Sequence, residues 1–173
     1  LLEHLPVLGP DQRQAAGERW LAAKAPDLDD VARASLLKDA LELMALPILA
    51  PLFGPKARAE CPIAGTVTLQ NGETRMVSGQ IDRLFMDQGR IILADFKTSA
   101  LPPKSVDEVP EKTMLQMALY AELLRKTAPE ATISCLVIYS ASQRVFEIER
   151  ATLAKALGAI ASGTSLDGDS RHS

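Results

Sequence analysis

The chain has 173 residues, 47% of them hydrophobic and 24% charged, with a formal net charge of −3. That composition is ordinary for a globular protein, and the length allows one α/β domain with a sizeable core. The negative balance argues against a stand-alone DNA-binding module, although carboxylates of a metal site also count as negative until metal binds.

Only two cysteines are present, Cys61 and Cys135, too few for a disulfide framework or a four-cysteine cluster. They point to a reducing, cytoplasmic setting. The longest apolar run, 44–53, is cut by Pro47 and Pro51 and is too short to span a bilayer; no signal peptide is visible. No membrane association is therefore expected. With aromatics at 4%, Leu, Ala, Ile and Val must fill the core. No G-x-x-x-x-G-K-[ST] occurs, so no P-loop motor is expected within these residues. The chain opens at Leu1, inside what reads as a helix already under way, so it is expected to be a domain excised from a larger protein.

Residues 1–57 read as N-terminal helices. Residues 1–24 carry apolar side chains at helical spacing, interrupted by Pro6 and Gly9-Pro10, which predicts a short helix followed by a longer one. Asp29-Asp30 can cap the next helix, with Val31, Leu36, Leu37, Leu41 and Met44 as its buried side. Residues 46–53 form a proline-punctuated apolar connector expected to pack on the core.

Residues 58–150 read as a sheet core with an inserted helix. Strands 59–69 and 74–86 flank Asn71-Gly72, a strong hairpin signal, and a two-residue turn there places Glu60 and Cys61 alongside Asp82 and Arg83. Whether Glu60 shares a face with Asp82 depends on one residue of register. The third strand, 90–98, contains Ile91-Ile92-Leu93-Ala94, a run that predicts burial on both faces. A proline-rich loop, 99–111, leads to a helix at 112–127 with Leu115, Leu119, Leu123 and Leu124 facing inward. A buried strand at 133–140 pairs with another at 145–149 across Ala141-Ser142-Gln143. A closing helix, 151–161, and a tail, 162–173, complete a single domain. No internal repeat is visible.

The chemistry concentrates between Gly79 and Thr98. Asp87-Gln88-Gly89 is a turn signal between two apolar runs, and a turn centred between Gln88 and Gly89 sets Asp82 opposite Asp95. Residues so paired have Cβ atoms about 4.5–5.5 Å apart, and two carboxylates there repel unless a cation or a proton lies between them. Strand alternation puts Lys97 on the same face as Asp95. Gln116 and Tyr120 are one helical turn apart and share a face. Taken singly, each has an ordinary explanation. A D-x-K triplet usually marks a solvated strand edge, Asp82 can pair with Arg83, and Gln116 with Tyr120 can be a polar pair at the edge of the core.

Together and in this order they resemble the RecB-like branch of the PD-(D/E)XK nuclease superfamily, and within it the nuclease domains of AddA-type helicase–nucleases from bacterial double-strand break repair. The resemblance rests on Ala59-Glu60-Cys61-Pro62-Ile63, Gly79-Gln80-Ile81-Asp82-Arg83-Leu84, Ala94-Asp95-Phe96-Lys97-Thr98 and Gln116-Met117-Ala118-Leu119-Tyr120, with the opening Leu1 to Pro6 similar to part of that family's N-terminal motif. It implies a restriction-endonuclease-like α/β fold, a central mixed β-sheet flanked by helices. It implies a divalent-metal-dependent DNA exonuclease domain for recombinational end processing. Asp82 and Asp95 would ligate Mg²⁺, for which Mn²⁺ can substitute, with a further ligand from the Phe96 backbone carbonyl. Lys97 would activate the attacking water, and Gln116 and Tyr120 would lie against the metal and the DNA strand. Glu60 matches a recurrent acidic position and is a candidate additional ligand.

The family's metal-binding His falls just before Leu1. His4 lies further along and reads as a surface residue, and no role is expected for His172. With two cysteines, no iron–sulfur cluster of the AddB kind can form. The implied partners are DNA, a helicase motor of the same parent chain and an AddB-type protein. The isolated fragment is expected to be weak or inactive on free DNA. The rival reading, a catalytically silent DNA-binding or scaffold module, is disfavoured because Asp82, Asp95 and Lys97 are all intact.

Overall fold

The computed structural model describes residues 1–99 and 101–161; the expected tail and His172 lie outside the described residues. A short 3-10 turn, Leu5–Val7, precedes α1 (Pro10–Lys24) and α2 (Asp30–Ala45). A 3-10 segment, Pro47–Phe53, leads into β1 (Ala57–Thr68), β2 (Thr74–Asp87) and β3 (Arg90–Lys97). After a turn at Val106–Glu108 come α3 (Glu111–Thr127), β4 (Thr132–Tyr139), β5 (Arg144–Ile148) and α4 (Arg150–Ala161).

The five strands form one sheet in the order β1-β2-β3-β4-β5. Only β3 and β4 are parallel, joined by the crossover through α3; the other neighbours are antiparallel. The result is the expected mixed sheet flanked by helices. No helix among the described residues is long and apolar enough to cross a membrane.

Both faces of β3 are covered, which is why four consecutive apolar residues occur there. Ile91 and Leu93 pack with Cys135, Val137 and the α3 residues Met117 and Ala118. Ile92 and Ala94 pack with Leu136, Ile138 and the N-terminal residues Leu5, Leu37, Leu43 and Leu49. The connector 46–53 packs as expected, burying Leu49, Leu52 and Phe53.

Two helix faces differ from expectation. Asp29 Oδ1 does cap α2, accepting from the Ala32 N–H at 2.7 Å, but Val31 (79%) and Leu36 (45%) are exposed. Leu37 and Met44 are buried as expected and Leu41 borders the core, while Ala40 and Leu43 complete the buried stripe in place of the two exposed residues. On α3, Leu123 and Leu124 are buried, whereas Leu115 and Leu119 only border the core. Ala118 and Ala121 occupy the centre, and their small side chains let the helix axis approach the sheet.

The hairpins fix where the site forms. Between β2 and β3, Asp87 pairs with Arg90, and Gln88 (φ 42°) and Gly89 (φ 78°) have the two positive φ values of a type I′ turn. Between β1 and β2 the expected two-residue turn is not formed. Thr68 pairs with Thr74, and the Leu69 N–H donates to the Glu73 carbonyl at 2.8 Å, so Gln70-Asn71-Gly72 is a three-residue loop. Gly72 (φ 83°) takes the left-handed position that such loops require. The extra residue shifts the register by one.

Candidate active site

That shift sets Glu60 opposite Asp82. Ala59 pairs with Arg83 and Cys61 with Ile81, leaving Glu60 and Asp82 across the ladder from one another. Glu60 has φ 51°, an uncommon conformation for a residue with a Cβ. Here the strand alternation breaks: Ile81 and Leu84, three residues apart, both pack on the α3 side. Asp82 sits at this break. Its Oδ2 accepts the Phe96 N–H at 2.7 Å, a bond that reaches across to β3. The Phe96 group bonded to the site residues is thus its N–H; the carbonyl named as a metal ligand makes no described contact with them.

Asp95 follows the buried run of β3 and is only 5% exposed. Its Oδ1 lies 3.4 Å from Gln116 Nε2, a long contact from α3. Its Oδ2 lies 2.8 Å from Lys97 Nζ, but the ammonium is not aligned for a hydrogen bond, so this buried oxygen has none. Gln116, Asp95 and Lys97 therefore come together on the α3 side. Tyr120 is buried one turn beyond Gln116, with its hydroxyl against Gly79 of β2. A Cβ at Gly79 would lie 1.8 Å from Tyr120 Oη, so only glycine permits this approach.

Burial raises the Asp82 carboxyl above the usual range, and the charges of Asp95 and Glu3 add to the rise. The Phe96 N–H and the Lys97 ammonium oppose it. Glu60 is raised by partial desolvation and then by Glu3 and Asp82. Gln80 Nε2 donates to Glu60 Oε2. A carboxyl whose folded pKa exceeds its unfolded value contributes stability below the unfolded pKa and loses it as pH rises through the folded one. Asp82→Asn should therefore gain in melting temperature relative to wild type as pH rises from about 4 to about 7 without metal. A constant difference across that window would mean that the Asp82 charge is not destabilised by its surroundings.

A cleft of about 710 Å³ opens on the Asp82 side, lined by Glu3, Trp20, Lys24, Glu60, Asp82 and Thr98 among others. A second hollow of about 570 Å³ lies beside Lys97, Ser99 and Tyr139, and also reaches Thr98. Asp82 and Lys97 thus face different hollows that meet at the end of β3. Two residues here act in ways the sequence did not suggest. Glu3 carries no local motif and reaches Glu60 and Asp82 only through the fold. Arg83 is not the ion partner of Asp82. It is 3% exposed and donates from Nε to the Leu52 carbonyl and from Nη1 to the Leu2 carbonyl, both at 2.7 Å. Its guanidinium lies 5.3 Å from the Phe53 ring centroid. Because the strand alternation breaks at Asp82, Arg83 lines the same cleft as Asp82 yet is held by backbone carbonyls.

Among the described residues no three His, Cys, Asp or Glu side chains gather as a metal centre. What is present is a pair of carboxylates on adjacent strands, one with a buried oxygen that makes no hydrogen bond. All-oxygen donors in small number suit Mg²⁺, which keeps several of its waters. Glu60 lies beside this pair. His4 does not: it is exposed, next to Glu3 and 5.9 Å from the Trp20 ring.

Comparison with known proteins places the chain in a family. The profile of the PD-(D/E)XK nuclease superfamily matches residues 1–163. An ATP-dependent helicase/nuclease protein of Streptococcus uberis (strain ATCC BAA-854 / 0140J) is 32% identical over 114 residues, 65% of this chain and 9% of that protein. Its counterpart of the same name from Clostridioides difficile (strain 630) is 26% identical over 78 residues, 44% of this chain and 6% of that protein. The chain thus spans less than a tenth of the length of these curated relatives. The solved structure of SSO0001 aligns with 91% of the chain and 72% of its own at 15% identity and a TM-score of 0.37, too loose a likeness to bear on function. With the profile covering nearly the whole chain, the protein belongs to the PD-(D/E)XK nuclease superfamily.

Proposed function

We propose that this domain is a divalent-metal-dependent DNA exonuclease, using Mg²⁺ or Mn²⁺, that processes DNA ends beside a helicase motor of the same parent chain and an AddB-type partner. The observation that carries the reading is Asp95: a buried carboxylate oxygen without a hydrogen bond, 2.8 Å from the Lys97 ammonium, across the hairpin from Asp82. The name shared by the two relatives supports the helicase context, as does the small share of each that this domain covers.

Asp82 and Asp95 would hold the cation, with Glu60 as a further acidic candidate and the Phe96 carbonyl as a backbone donor. A bound divalent ion supplies charge cancellation on the phosphoryl oxygens and a water of lowered pKa. Lys97, ion-paired with Asp95 without a hydrogen bond to it, has donor hydrogens to offer a phosphate oxygen and the attacking water. Gln116 steadies Asp95 from α3. Tyr120, wedged against Gly79, holds α3 against the strand that carries Asp82. Hydrolysis then forms a P–O bond from water and breaks one ester bond, the leaving oxygen taking up a proton.

Lys97 donates and cannot ligate a cation, which separates its role from that of the aspartates. Lys97→Ala in the parent protein should cut single-stranded oligonucleotides about 10²-fold more slowly or worse, while Mn²⁺ affinity stays within about threefold of wild type. Cleavage at the wild-type rate would remove Lys97 from the mechanism.

A further inference from the structure

Trp20 is the only tryptophan of the chain and lies on α1, which carries no residue of the proposed chemistry. It lines the cleft of about 710 Å³ that also holds Asp82 and Glu60. Lys24, one helical turn later on the same face, lines that cleft as well. Much of the remaining wall is apolar, including Leu2, Leu36 and Phe96, and its other charges are mostly carboxylates. Arg83, the other cation there, spends donors on two backbone carbonyls. A phosphate would meet repulsion from Glu3, Glu60 and Asp82 in metal-free protein, whereas a neutral base would meet an indole and aliphatic surface. The volume lies within the roughly 300–1,000 Å³ range of pockets that hold small ligands.

We infer that this cleft takes up an unpaired nucleobase next to the bond to be cut, stacked on Trp20, with Lys24 on the adjoining phosphate. The inference rests on the nuclease reading and adds a positioning residue to it. Aromatic stacking tolerates any base, so the cleft would hold a strand without selecting its sequence. Base-paired DNA cannot use it, because its bases are already stacked and paired within the duplex.

As the single indole, Trp20 reports on its own surroundings. The test titrates an oligothymidylate, and a fully abasic oligomer of equal length and charge, into the protein in EDTA at low salt. Anisotropy of a label on the oligomer follows binding. Trp20 fluorescence should be quenched in parallel with oligothymidylate binding and left unchanged by the abasic oligomer. Trp20→Leu should bind oligothymidylate roughly tenfold more weakly, and Trp20→Phe should recover most of the loss. Equal binding of the two oligomers, binding without quenching, or no binding at all would overturn the inference. Mn²⁺-dependent cleavage is scored separately, so a cleaving protein with silent fluorescence would refute the stacking site and leave the nuclease reading standing.

Discussion

Asp95→Ala in the parent protein is expected to lower DNA cleavage by roughly 10³-fold or more while leaving the fold intact. The size follows from removing the carboxylate on which the proposed electrostatic stabilisation converges, where single charged or donor groups are worth about 10²–10³ in rate and a metal site more. The fold should survive because Asp95 gives up little on removal. Its hydrogen bond from Gln116 is long, at 3.4 Å, and its other oxygen has none. Lys97, 32% exposed, can turn toward solvent once its partner is gone. Removing one of two repelling carboxylates also relieves Asp82, whose carboxyl the Asp95 charge helps to raise. Metal-free Asp95→Ala should therefore melt within a few degrees of wild type. Loss of fold together with activity would make Asp95 a structural residue.

Gly79→Ala is expected to destabilise the protein by about 1–3 kcal/mol, the usual cost of overpacking. The new methyl would fall 1.8 Å from Tyr120 Oη and 2.8 Å from Cζ, well inside contact distance. Tyr120 is buried between α3 and the sheet, so relieving the contact must move its ring within the core or shift β2. Asp82 lies three residues along that strand, and cleavage should fall with stability. Tyr120→Leu in the same chain removes the hydroxyl and most of the ring. The double variant should be more stable than the sum of the single losses predicts, a favourable coupling measurable by urea unfolding. Additive losses would show that Tyr120 is not what the methyl meets.

Much of the fold was legible because its signals are local. Asp87-Gln88-Gly89 defined one hairpin, Asp29 one helix start, and the four apolar residues 91–94 a strand covered on both sides. What escaped depended on distance or on a single residue of register. Asn71-Gly72 promised a two-residue turn, yet the loop took three residues, which Leu69 and Glu73 close through their backbones. That one residue decided that Glu60, and not Cys61, would face Asp82. The exposed faces of Val31 and Leu36 followed from where the sheet lies, which helical periodicity alone does not contain. Glu3 enters the site from the far end of the chain, and Arg83 binds carbonyls 31 and 81 residues away, contacts without any pattern in the sequence. The pairing of Asp95 with Lys97 was readable from strand alternation, whereas Gln116 was placed near them only by the family resemblance.

Calorimetric titration of Mn²⁺ into the wild type, Asp82→Ala and Asp95→Ala tests the central claim most directly, that these two carboxylates jointly hold a divalent cation. The account predicts measurable binding to wild type, lost or weakened at least about tenfold in each variant, with a matching metal-dependent rise in melting temperature seen only in wild type. Binding of equal strength in all three proteins, or none in wild type at millimolar Mn²⁺, would contradict it.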